Sequence, residues 1–147
     1  MNKTLSALAI AVIAALSGPP ARAAVVVMDF QQALNSDEVK SALGDDVTFY
    51  LNGAKTPVVR KPFQEVVGSA STIRWFGSDQ KACLAVLSKV LQTMRDRARQ
   101  QGGNAVVNVI GYYKKNELVN SSTIECYTGA QVRGHITLKG TAAEVEK

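Results

Sequence analysis

The stretch from Ser78 to Ile110 reads SDQKACLAVLSKVLQTMRDRARQQGGNAVVNVI, and its pattern decides the fold. Cys83, Leu87, Val90, Leu91, Met94 and Ala98 recur at spacings of three and four, which makes one apolar stripe and predicts a helix over residues 79–101. Ser78 supplies an N-cap oxygen, and Asp79 places a negative charge in the first turn. Arg95, Arg97 and Arg99 crowd the last turns, where positive charge suits the carbonyl end of the helix; the expectation is a solvated helix end rather than a phosphate site. Gly102-Gly103 stops the helix, and at least one of the two is expected at positive φ. Asn104 to Ile110 follows at once as a strand whose apolar residues occupy both parities, as in a central strand buried on both faces.

Working outward toward the N-terminus, residues 65–76 carry strand composition (Val66, Val67, Thr72, Ile73, Trp75, Phe76) with a kink expected near Gly68. Residues 57–62 form a short extended piece with a proline at each end, which suits a sheet edge. Residues 47–51 read as a strand closed by an Asn52-Gly53 turn. Asn35 or Ser36 caps a short helix, Asp37 and Glu38 fill its first turn, and Gly44 ends it. Residues 24–30 are apolar and β-branched, with no state assigned. Toward the C-terminus, Tyr112 to Ser122 reads as a polar loop, residues 123–127 as a strand, and Thr128-Gly129 as a turn. Residues 131–139 alternate as a last strand: Val132, Gly134, Ile136 and Leu138 inward, Gln131, Arg133, His135, Thr137 and Lys139 outward. The tail beyond Gly140 is expected to be short and charged. An amphipathic helix among strands must cover a sheet, so the fold class is α+β. Two layers are expected, a mostly antiparallel or mixed sheet covered on one face by the long helix.

The first 23 residues have the parts of a secretory signal peptide. Lys3 gives the positive start, Leu5 to Leu16 the apolar run, Gly18-Pro19-Pro20 the break, and Ala21-Arg22-Ala23 the small-x-small cleavage pattern. Cleavage between Ala23 and Ala24 leaves residues 24–147 as a single exported domain, with the periplasm as the expected compartment. The apolar run is about 12 residues, short of the ~20 that a membrane span takes. No cysteine follows it, so neither a lipid anchor nor a membrane span after signal removal is expected. Loss of Lys3 and Arg22 lowers the formal net charge of +5 by two, too weak a balance to imply nucleic acid. The two cysteines, Cys83 and Cys126, are expected to pair, since export supplies an oxidant and the helix can cover the strand carrying Cys126. The competing reading is a reactive thiol at Cys83, near a helix N-terminus that favours thiolate.

No legible active site accompanies this framework. Ser78 and Lys81 form an S-x-x-K at a helix start, the arrangement of a serine nucleophile and its lysine base, but its K-T-G and S-D-N companions are missing. His135 is the only histidine and has no ligand neighbours at metal spacing. Asp37-Glu38 and Asp45-Asp46 read as capping and turn residues. No phosphate-binding glycine loop is present. The expectation is therefore a non-enzymatic binding or envelope-stress domain without a cofactor, its partner an unknown protein or other component of the envelope. A small enzyme built on Ser78/Lys81 or His135, or a weak metal-binding module, stands as the alternative. The candidate interaction surface is Tyr112, Tyr113, Lys114 and Lys115, aromatic and basic residues together at a strand end.

Several of these motifs carry a resemblance. Trp75 to Cys83, Gly102 to Asn108, Tyr112 to Asn116 and Glu125-Cys126 resemble a group of small exported proteobacterial proteins that often bear the label of excinuclease ATPase subunit. The ATP-binding loop and zinc-finger cysteines that such a label requires are missing here. More remotely, Ala98 to Asn108 is similar to the helix-to-strand hallmark of the YbjQ-type "heavy-metal-binding" domains and of the lipoprotein sensor of the Rcs envelope-stress relay. The latter resemblance implies a disulfide between the long-helix region and a later strand, where Cys83 and Cys126 stand.

Overall fold

The computed structural model describes residues 24–73, 77–129 and 132–147. The expected leader up to Ala23, together with Trp75, Phe76 and Gln131, lies outside the described residues. In chain order the elements are β1 (Ala24–Asp29), α1 (Phe30–Asn35), α2 (Asp37–Leu43), β2 (Thr48–Leu51) and β3 (Val59–Thr72). They continue with α3 (Asp79–Gln100), β4 (Ala105–Tyr113), β5 (Asn116–Leu118), β6 (Thr123–Thr128) and β7 (Gly134–Val145). The fold is α+β: a mixed, curled seven-stranded sheet with α3 as its long helix.

Helix α3 follows its sequence pattern. Cys83, Leu87, Val90, Leu91, Met94 and Ala98 are all wholly buried, and the Ser78 hydroxyl accepts the Lys81 N–H at 3.2 Å. At the other end Gly102 has φ 83°, and the Gly103 N–H donates to the Ala98 carbonyl at 2.9 Å. The arginine run is exposed at Arg97 and Arg99, as expected of a solvated end, and each guanidinium also reaches across to another segment. Arg95 Nη1 donates to the carbonyls of Ala42 and Leu43 at 3.0 and 2.8 Å, satisfying the last turn of α2. Arg97 donates to the Val67 carbonyl at 2.7 Å, and Arg99 pairs with Asp46 at 2.9 Å.

Strand β7 is the hub of the sheet. One edge pairs antiparallel with β3, from Gly134↔Thr72 to Val145↔Val59. The opposite edge is shared: β4 takes it between Leu138 and Ala143, and β6 meets it at Tyr127↔His135. β1 continues the sheet beyond β6, and β2 joins β4 as a parallel pair. The inner face and α3 enclose the main core, in which Phe30, Phe49, Val106, Val109, Ile136 and Leu138 are buried. A second small cluster of Ala105, Val107, Ala143, Val145 and Tyr50 lies apart from it. Asn108, with φ 53° at a register shift between Val107 and Ile110, marks a bulge in β4. This is the physical content of apolar residues on both parities: β4 contributes to both clusters.

Several sequence expectations are corrected. Within the extended pieces expected at 57–62 and 65–76, residues 59–72 are one strand, β3, whose irregularities lie between Val59 and Glu65, around Pro62, and not at Gly68. Gly68 pairs in register with Leu138 and is small because α3 crosses it; a Cβ there would sit 2.5 Å from the Val90 carbonyl oxygen. The tail beyond Gly140 is the second half of β7, with Ala142, Ala143 and Val145 buried. Gly140 is no terminator, since a Cβ there would meet Val106 Cγ1 at 2.8 Å. Val132 and Arg133 precede that strand rather than belonging to it. The polar loop after Tyr112 contains β5, which closes a hairpin on β4 through Tyr113↔Asn116.

Cys83 and Cys126 form a disulfide with Cα atoms 5.9 Å apart, joining the first turns of α3 to β6. Both residues are wholly buried, so the bridge stands inside the core rather than at a reactive surface. Among the described residues, no helix is long and apolar enough to cross a membrane.

Candidate functional site

Because β4 and β6 share one edge of β7, they part where β4 ends and β6 begins, and the sheet opens there. The pairing registers place Val25, Tyr127, His135 and Ser71 in one row across β1, β6, β7 and β3. Strand alternation turns the row away from the core, since the neighbouring Cys126 and Ile136 face inward. The Tyr113 ring, from the end of β4, stacks on the Tyr127 ring with centroids 3.7 Å apart and planes 13° apart. The His135 imidazole meets the edge of Tyr113 at 5.4 Å. These residues, with Ser71, Lys114 and Val132, line an open cleft of about 470 Å³.

The polar groups around the cleft are few and mostly engaged. Tyr127 donates its hydroxyl proton to Glu125 at 2.6 Å; burial first, then this carboxylate, pushes the phenol well above the ordinary tyrosine range. His135 Nε2 lies 3.1 Å from the Thr137 hydroxyl, which in turn bonds the Ser69 hydroxyl at 2.7 Å. Burial lowers the imidazole below its ordinary value, which favours the neutral ring. The Lys114 ammonium hangs 5.2 Å from the Tyr113 centroid. Among the described residues it is the one lysine or arginine of the lining, which holds no carboxylate.

The turn that carries Lys114 is strained. Lys114 and Lys115 have φ 50° and 64°, the two left-handed positions of a type I′ hairpin, where Asn-Gly sits without steric cost. Two lysines there store backbone strain of order 1 kcal/mol or more, of the kind concentrated at functional surfaces.

The structure divides the expected surface. Tyr113 and Lys114 face the cleft, whereas Tyr112 lies over Lys139, whose ammonium is 4.5 Å from the ring centroid. Lys139 is held by Glu117 and Glu65, and hydrogen bonding to Glu117 raises its proton affinity. Lys115 is exposed at the turn and does not line the cleft. Tyr127, Ser71 and Val132 were absent from the sequence expectation. For Tyr127 a signal existed: beside an inward Cys126, alternation puts it outward. Its meeting with Tyr113 required the strand order.

Elsewhere, Ser78 is the N-cap of α3 and its oxygen accepts the Lys81 backbone N–H; both residues are exposed and outside the cleft. Asp37 and Glu38 occupy the first turn of α2 as expected. Among the described residues no three His, Cys, Asp or Glu side chains gather as a metal site. Compared with protein-family models, with curated proteins and with solved structures, the chain finds no match.

Proposed function

We propose that this chain is an exported, non-enzymatic binding domain of the periplasm that receives an apolar or aromatic group of its partner in the cleft beside Tyr113 and Tyr127. The observation that carries the reading is the cleft itself. It has stacked rings on one wall, an imidazole whose charged form burial disfavours, one ammonium at the rim and, among the described residues, no carboxylate in its lining. Such a lining binds by contact area and shape, with few polar groups to orient the guest, and its volume falls in the range of ligand sites. The buried Cys83–Cys126 bridge is compatible with an oxidising compartment, and the leader-like N-terminus and the resemblance to small exported proteobacterial proteins support the same placement.

The test is photo-crosslinking in intact cells from a reactive residue installed at Lys114, at the cleft rim, against one installed at Arg60, at the end of β3 remote from the cleft. The reading expects adducts at the rim that weaken when Tyr113 and Tyr127 are changed to alanine. Equal adducts from both positions, or adducts indifferent to the tyrosines, would falsify it.

A further inference from the structure

Sheets that end in open strands need protection at their edges, and three edges here have it. β3 carries Arg60, Lys61 and Pro62 and breaks register twice. β2 has four residues and β5 only three. β1 is different. It runs six residues, Ala-Val-Val-Val-Met-Asp, in unbroken register with β6 from Ala24↔Thr128 to Asp29↔Thr123. No charge, proline or bulge interrupts it before Asp29, and among the described residues β6 is its sole strand partner. Its outward valines, Val25 and Val27, are 46% and 60% exposed. A strand edge of this kind presents a row of backbone donors and acceptors, and what satisfies such a row is another extended strand.

We infer that the strand is a second copy of β1 and that the protein forms a homodimer by antiparallel pairing about a two-fold axis through Val26. The sequence of the edge is what favours self-pairing. With Val26 opposite its own copy, Val25 faces the partner's Val27 and Ala24 faces the partner's Met28. The exposed valines therefore meet as cross-strand neighbours, and no charge faces a like charge. Moving the axis to Val27 would set Asp29 against a valine. Moving it to Val25 would leave only three residues paired. The two-fold stands perpendicular to the sheet, so both outer faces point the same way. Val25 adjoins Tyr127 in its own sheet, so the two tyrosine clefts share one surface, with the two Tyr127 positions three strand spacings apart and offset by two residues, about 16 Å in all.

The experiment uses protein made in its native host with its own leader and purified as the cell leaves it, followed by light scattering and sedimentation equilibrium over a concentration series. The expected result is a dimer that dissociates on dilution. Val25→Lys or Val27→Lys should abolish it while keeping the thermal midpoint of the diluted, monomeric parent, because both sites face solvent in the single chain. Val119→Lys, an equally exposed position on the hairpin side, should leave the dimer intact. A monomer at every concentration overturns the inference, as does a dimer that survives both β1 lysines or one that Val119→Lys also dissolves. A monomer whose β1 edge is instead held by a foreign peptide would overturn it equally.

Discussion

Tyr113 and Tyr127 stack with ring centroids 3.7 Å apart, although β4 and β6 are separate strands that compete for one edge of β7. The stack closes the wedge where the two strands part, and it stands between the strained lysine turn and the His135 row. The hairpin and the cleft wall therefore meet at this pair.

The first expectation concerns that turn. Changing Lys114→Asn together with Lys115→Gly should raise stability by about 1 kcal/mol, because Asn-Gly fills both left-handed positions without the Cβ strain of two lysines. The same change should weaken crosslinking to the partner, since it removes the rim ammonium. A urea midpoint that falls would show the turn to be relaxed in the parent protein.

His135 should make stability depend on pH. Burial lowers its folded-state proton affinity below the ordinary value of 6.5, so the unfolded chain binds protons more readily in the window just below that value. The contribution is fully present above about pH 6.5 and is lost as pH falls toward the lowered value. The groups that face the ring are the Tyr113 edge and the Thr137 hydroxyl, neither of which offers a charge to hold an imidazolium. Thermal midpoints at about pH 7.5 and about pH 5 should differ more for the parent than for His135→Gln; equal differences would refute the assignment.

Gly68→Ala should cost about 1–3 kcal/mol, since the new Cβ would stand 2.5 Å from the Val90 carbonyl and 2.9 Å from Met94 Cγ. Gly102→Val should cost about 1 kcal/mol or more for a different reason. Nothing crowds that position, but its φ of 83° is a conformation that β-branched residues rarely adopt. Chemical denaturation distinguishes them from tolerated sites: an unchanged midpoint at either position contradicts the stated cause.

Replacing both Cys83 and Cys126 with alanine should lower stability by about 4 kcal/mol in the chain-entropy account, given a sequence separation of 43 residues. Thiol titration of the unfolded, unreduced parent should find no free sulfhydryl. Two titratable thiols in material taken from the exporting cell would remove the oxidising-compartment argument.

The sequence by itself determined what depends on local periodicity and capping. The stripe from Cys83 to Ala98, the Ser78 and Gly102 boundaries, the Ser36–Gly44 helix and the outward row of His135, Thr137 and Lys139 follow from side-chain spacing alone, because helix and strand repeats are properties of a single segment. So does the two-sided burial of β4. Only the tertiary structure decided the remainder. Gly140 reads as an end until β4 is laid beside it. Arg95 reads as solvated until the carbonyls of α2 come within reach, and the exposed Arg97 and Arg99 show their partners, the Val67 carbonyl and the Asp46 carboxylate, only in the folded chain. The cleft joins Ser71, Tyr113, Tyr127 and His135, residues as much as 64 positions apart. Periodicity tells which way each of them points; which strands lie side by side is fixed by long-range pairing on β7, and no local pattern encodes that.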